Sequence, residues 1–212
     1  MTGLVESPQL VKGGLVLVDP ASGGLLGVIS LQYNPETLTR SFQIQATGGE
    51  SGDRSQALRL AGAPVESIKL EAVLDAVDQN PGGDQGLHPQ LAVLERLAYP
   101  RSSDLLANDR LAASGTLEVL PIEAPLTLFV WSRSRIVPVR LTELSVTEEA
   151  FDPALNPIRA KVSLGLRVLS VDDLGFAHRG GGMFMSYLQT KESLAARASI
   201  PVLSVLGLEG IG

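Results

Sequence analysis

The sequence predicts a mainly β protein, a curled sandwich or barrel with one inserted helix and a helical C-terminal tail. Strand signals dominate residues 14 to 171, where apolar and polar residues alternate in segment after segment. Only one stretch inside that span has helical spacing between a start and a stop signal. Apolar residues form 44% of the chain and aromatics 4%, so the core has to be built from Leu, Val, Ala and Ile. Consecutive strands with one interrupting helix favour a sandwich or barrel over alternating βα units.

Each element follows from local chemistry. "GLVLVDP" ends on a turn and "ASGGLLGVISLQYN" starts from one, which predicts a hairpin over residues 14 to 33 joined near Pro20 to Gly24. After Asn34-Pro35 the chain alternates. Leu38, Arg40, Phe42 and Ile44 share one side of a ribbon, and Thr39, Ser41, Gln43 and Gln45 the other. The apolar side, with Leu38, Phe42 and Ile44, is expected to pack inward. Residues 46 to 57, "ATGGESGDRSQA", read as a mobile loop. In "SIKLEAVLDAVD" (67 to 78) a period of two points to a strand, although a helix could hold the same residues. After the loop "QNPGG", Pro89 suits a first helical turn, and Leu87, Leu91, Leu94 and Ala98 recur at helical spacing before Pro100. That is the inserted helix, residues 88 to 98. Residues 101 to 115 read as a second loop.

"LTLFVWSRSRIVPVRLTELSVTEEAF" predicts two strands around a turn near Ser132 to Ser134. The apolar parity switches from Val137, Val139 and Leu141 to Leu144 and Val146, so a bulge is expected near Glu143. "NPIRAKVSLGLRVLS" alternates without interruption. After Asp173 the pattern changes, which divides the chain into a β domain (1–173) and a tail (174–212). Glycines 180 to 182 read as a hinge, and Phe184, Tyr187, Leu188, Leu194 and Ala195 as the stripe of a helix over 183 to 198. That helix could pack on its own barrel. The reading favoured by the sequence is an arm, with Phe184, Tyr187, Leu188 and Leu194 docking on a neighbour and "SIPVLSVLGLEGIG" following as an extended strap.

Candidate chemistry is sparse. There is no cysteine, which removes disulfides, thiolate ligands and thiol nucleophiles. The two histidines, His88 and His178, stand before a helix-starting proline and before a glycine run, positions for exposed or capping side chains. No serine lies in a G-x-S-x-G elbow, and neither "GGESGD" nor "RGGGM" matches a phosphate-binding loop. Asp152 and Asn156 in "DPALNP" read as turn formers rather than metal ligands. Glu148 and Glu149 are adjacent on a strand and so unsuited to share a proton. Trp131 reads as a core anchor; with Tyr33 it would otherwise serve a ligand- or glycan-binding β-sandwich, the alternative function. A hydrolase using either histidine is the third. Arg133, Arg135 and Arg140 form a basic triplet that could meet an anion or a neighbour's acids. The net charge of −6 argues against nucleic acid. No secretory signal and no apolar run of membrane-spanning length is visible, so a cytoplasmic protein without direct membrane insertion is expected. No cofactor and no catalytic centre is predicted. Long ribbons with one polar side each must be paired or charged to avoid aggregation, which points to an assembly part.

At the level of motifs, "LQYNPETLTRSF", "LHPQLAVLERLAYP", the block from "PLTLFVWSRSRIVPVR" through "FDPALNPIRAKVSLGLRV", and "YLQTKESLA" resemble the tube-initiator or baseplate proteins of extracellular contractile injection systems. These are phage-tail-like particles, and the resemblance spans residues 12 to 198. It implies a phage-tail-tube-like β-barrel and a hexameric ring of identical copies between spike and inner tube. The implied partners are the inner tube protein, the spike protein and other baseplate proteins, in a particle assembled in the bacterial cytoplasm and open to release. Thr39, Ser41, Gln43 and Gln45 would then face the lumen, and Arg133, Arg135, Arg159 and Lys161 are the candidates for inter-subunit charge. Related baseplate members carry a LysM module after the tube domain. The residues after Asp173 are too few and wrongly patterned for one, so peptidoglycan binding is not implied.

Overall fold

The computed structural model describes residues 11–46, 59–76, 85–115 and 124–198. The expected loops at 47–57 and 79–83 and the strap from residue 199 onward lie outside these. Seven strands form one sheet: β1 (Gly14–Val18), β2 (Leu25–Ser30), β3 (Leu38–Gln43), β4 (Val65–Asp75), β5 (Leu126–Ser132), β6 (Arg135–Phe151) and β7 (Pro157–Val168). Their order is β2-β1-β5-β6-β7-β4-β3, antiparallel throughout. Four helices are described: α1 (His88–Glu95), α2 (Ser102–Ala113), α3 (Val171–Leu174) and α4 (Arg179–Ala196).

The sheet is curled, and the connection from β2 to β3 shows why. These strands are the two edges, which in a flat sheet of seven would stand about 29 Å apart at ~4.8 Å per gap. Only residues 31 to 37 join them. Within that connection the buried Gln32 side chain donates to the Asp75 carbonyl oxygen (2.9 Å) and accepts from its N–H (2.7 Å), at the end of β4. Asn34 accepts from the Gly13 N–H and donates to the Val11 carbonyl oxygen, both at 2.9 Å, just before β1. One short segment therefore touches both ends of the strand order. The sheet has wrapped into a barrel left open along one seam.

Alternation dictates the interior. Ala160, Val162, Leu164 and Leu166 of β7 are all buried and stand opposite Leu74, Ala72, Leu70 and Ile68 of β4, and the buried Val168 stands opposite Val139 of β6. On β6 the expected bulge is present: the register shifts between Leu141 and Glu143, so Leu141 faces Leu166 and Leu144 faces Leu164. Without the extra residue, Thr142, one half of this strand would turn its apolar side to water. Leu87, Leu91 and Leu94 of the α1 segment complete this core, together with Phe184 and Tyr187 of α4. On the opposite side of the sheet, Val18, Leu126 and Leu128 form a smaller cluster covered by Leu174 and Met183.

Two expectations are corrected. Residues 102–113, read as a loop, are the helix α2. It has no buried residue, so no apolar period marks it; its helical residues, Ala, Leu and Arg among them, act through propensity alone. The glycines at 180 to 182 are not a hinge but the first turn of α4, and Gly180 and Gly181 are buried. A Cβ on Gly181 would collide with the Gly175 carbonyl oxygen, and one on Gly180 with the Leu174 side chain. Here glycine permits close approach rather than bending. The side chains expected on a free arm follow suit: Phe184 and Tyr187 are buried in the chain's own core, Leu188 is half-buried, and Leu194 is exposed.

Candidate functional site: the uncovered polar face

The outer side of β3, β4, β7 and β6 carries a second, polar pattern in register. Thr39 lies opposite Lys69, which lies opposite Gly165, which lies opposite Glu143. One row along, Ser41, Ser67, Arg167 and Arg140 stand in line, and further along the face come Lys161, Arg159 and Asp75. The sequence pattern that buries every second residue necessarily presents these on the other side.

Lys69, Arg159, Lys161 and Arg167 on this face are paired within the chain. Lys69 reaches Glu143 across Gly165 (3.5 Å), and a Cβ on Gly165 would press on the Glu143 Cβ. Arg159 pairs with Asp75 at 2.9 Å and Lys161 with Glu149 at 2.7 Å. The hydrogen bond to Glu149, and then its charge, hold the Lys161 ammonium above the ordinary lysine range. Exposed pairs of this kind contribute about 0–1 kcal/mol each. Their main effect is that neighbouring opposite charges cancel over a short distance.

The face brings together Thr39, Ser41, Gln43, Arg159 and Lys161. Gln45 lies beyond β3 and is exposed; its carbonyl oxygen accepts from the Ala61 N–H at 2.8 Å. Arg159 and Lys161, candidates for contacts with a neighbour, have partners in their own chain. Arg133 and Arg135 stand apart from this face, at the β5–β6 turn. Phe42 and Ile44 correct an expectation: they are 43% and 62% exposed rather than packed inward. Phe42 keeps the parity of the interior, opposite Glu66, but β3 is an edge strand, and among the described residues no further strand lies beyond it to cover the ring.

Sequence reading missed the group next to Phe42. Glu66, 3% exposed, holds Arg40 through its Nε (2.7 Å), Lys191 (3.2 Å) and the Tyr187 hydroxyl (3.2 Å), while Arg40 also donates to that hydroxyl (2.7 Å). Lys191 stands 4.0 Å from the Tyr187 ring centroid, and the Arg40 guanidinium 4.9 Å from that of Phe42. This buried carboxylate ties α4 to β3 and β4. Arg40, Tyr187 and Lys191 are 26, 121 and 125 positions from it in sequence, so no local signal could have disclosed it.

The remaining candidates are structural. Trp131 stacks on Phe129 (5.9 Å between centroids) and lies over Gly13 at the core's margin. His178 caps α4, its Nδ1 accepting from the Gly180 N–H at 3.1 Å, and His88 begins α1. Asp152 accepts from the Asn156 side chain and from the N–H groups of Asn156 and Ala154, which pull its carboxyl below the usual range. Among the described residues no group of three or more His, Asp or Glu side chains could hold a metal, and no helix is long and apolar enough to cross a membrane.

A family model described as "Contractile injection system tube protein" matches residues 19–173. No curated protein matches the sequence. Among solved structures, a chain from the tail of an empty gene transfer agent particle, refined with C6 symmetry, is 15% identical over 74% of this chain and 90% of that one, with a TM-score of 0.31. A chain of the virion of a native gene transfer agent particle is 12% identical over the same shares, with a TM-score of 0.29. The assignment rests on the family match.

Proposed function

The chain belongs to the contractile injection system tube protein family, and from that membership we propose that copies of it close a hexameric ring forming the first layer of a tube. The ring joins the spike and baseplate to the inner tube, and the uncovered polar face, with Thr39, Ser41 and Gln43, turns toward the lumen. One observation carries this reading: among the described residues the sheet leaves both edges open, and both bear apolar side chains. Leu25, Leu26 and Val28 are exposed on β2, and Phe42, with Ile44 just beyond, at β3. Edges of this kind are protected in most monomers, and pairing with another copy satisfies the backbone and covers the apolar residues together. The protein acts by shape, without catalysis or cofactor, in a particle assembled in the cytoplasm.

The test is imaging of particles from a host expressing Leu26→Lys together with Ser41→Pro. Both changes spoil an edge while sparing the core, so the purified chain keeps its circular dichroism, but rings and tubes are lost. Normal tubes in that host, or a particle reconstruction that puts the chain outside the tube, would sink the proposal.

A further inference from the structure

We propose a second contact between copies, end to end: the β6–β7 hairpin tip of one copy seats in a groove between the β5–β6 turn and α4 of the next. It rests on the tube reading and extends it, since end-to-end contacts between copies require further layers of this chain above the first.

The groove is shallow and open to solvent, with a volume of about 570 Å³. Arg133 and Ser134 of the turn form one wall; Gln189, Ser193, Leu194 and Arg197 of α4 form another. Two guanidiniums line it and, among the described residues, no carboxylate does. Among the described residues, Arg197 makes a long 3.5 Å contact to Ser193 Oγ. Such a site takes a carboxylate, which a guanidinium fork binds in two hydrogen bonds.

The tip has the complementary chemistry. Residues 141 to 158 contain no lysine or arginine but four acids. Glu143 and Glu149 are paired on the sheet and Asp152 spends its carboxylate on the turn, which leaves Glu148, exposed beside the tip, to meet the groove. Leu155 at its apex is 77% exposed and holds a positive φ of 64°, a conformation uncommon for a residue other than glycine, asparagine or aspartate. Phe151 next to it is half-exposed. The hydrogen bonds to Asp152 fix the turn, so the tip is already shaped before it docks. An exposed leucine held in that conformation is a cost within the isolated chain, and Leu194 with the aliphatic stems of the groove offers it cover.

The placement makes the contact repeat. The groove begins just before β6 and the tip just after it, and the 17 residues of the bulged, curled β6 set them at most roughly 55 Å apart at ~3.3 Å per residue. Each copy thus offers one of each at opposite ends, a heterologous contact that propagates in a line.

The absence of cysteine in the native chain makes the test direct. Ser193→Cys and Ala154→Cys are combined in one chain and treated with a short bis-maleimide, and ring formation is followed in parallel by negative-stain imaging. The expected result is a ladder of covalent multimers beyond the dimer, which neither single-cysteine variant gives. Arg197→Glu lowers the yield at least tenfold, and Glu148→Arg in the same chain recovers it. A double-cysteine chain that gives no ladder overturns the docking, whether or not rings form. A ladder without rings keeps the docking and removes the hexameric ring; rings without a ladder do the reverse.

Discussion

Helices α2 and α4, of 12 and 18 residues, are opposite in attachment. Helix α2 contains no glycine and has no buried residue, and Leu105, Leu106 and Leu111 are exposed on it. Helix α4 begins with three glycines after Arg179, poor helix formers, yet buries Phe184 and Tyr187 and closes on a buried carboxylate. The difference teaches that a helix is held by what it packs against more than by its own residues. It also shows that glycine at a helix start can mean contact at van der Waals distance instead of a joint.

Four substitutions test that contrast. Phe184→Ala carries the largest expected effect, about 3–4 kcal/mol, read as a fall in Tm of roughly 10 °C. A loss below about 1 kcal/mol would mean that α4 is not part of the core. Glu66→Ala follows at about 2 kcal/mol, below the ~3–5 for breaking a fully buried pair, because the Arg40 and Lys191 side chains keep 22% and 36% of their exposure and can turn to water. Its second readout is protection of the α4 amides from hydrogen exchange, which should drop while that of β7 stays. Gly181→Ala comes next, roughly 1–3 kcal/mol through overpacking against Gly175; a flexible hinge would instead gain stability from the same change. Leu106→Ser on α2 is expected to shift stability by no more than ~0.5 kcal/mol, and a cost above about 1.5 would place α2 against the chain's own core.

A pH titration gives the smallest effect and serves as a control away from both helices. Because hydrogen bonds depress the Asp152 carboxyl in the folded state, its contribution is full above the ordinary aspartate pKa of about 3.9 and is lost as pH falls through the lower folded value. Amide signals of Ala154 and Asn156 should shift in that acid window, ahead of global unfolding. An Asp152→Asn chain whose turn signals titrate identically would remove the assignment.

Strands were legible in the sequence wherever one side is buried along their length. The alternation of residues 157 to 168, the hairpin over 14 to 30 and the parity switch at Thr142 each announce a side chain that must face inward. What failed to announce itself depends on partners far along the chain. Phe42 has the right parity, but its exposure follows from β3 being an edge, which is a property of the whole strand order. Glu66 looks like any polar residue before "SIKL" until Arg40, Tyr187 and Lys191 converge on it. Gly181 is a close contact only because Gly175 folds back against it. For the polar face, alternation disclosed Thr39, Ser41 and Gln43, whereas the pairing of Arg159 with Asp75 and of Lys161 with Glu149 needed the register of three strands.

The pairing of β1 with β5 has a consequence during synthesis. Val18 and its neighbour Leu126 are separated by 108 positions (126 − 18). At a translation rate of about 5–20 residues per second, the N-terminal hairpin leaves the ribosome roughly 5–20 s before the strand that completes it. Throughout that interval Leu15 and Val18 have no interior to enter, and every nascent chain on the same messenger exposes the same sticky ribbon. A pairing that spans so much sequence raises the contact order above that of a meander of the same size, and higher contact order goes with slower folding. Until residues 126 to 132 are made, the apolar side chains of residues 14 to 18 lack the strand that flanks them in the finished sheet.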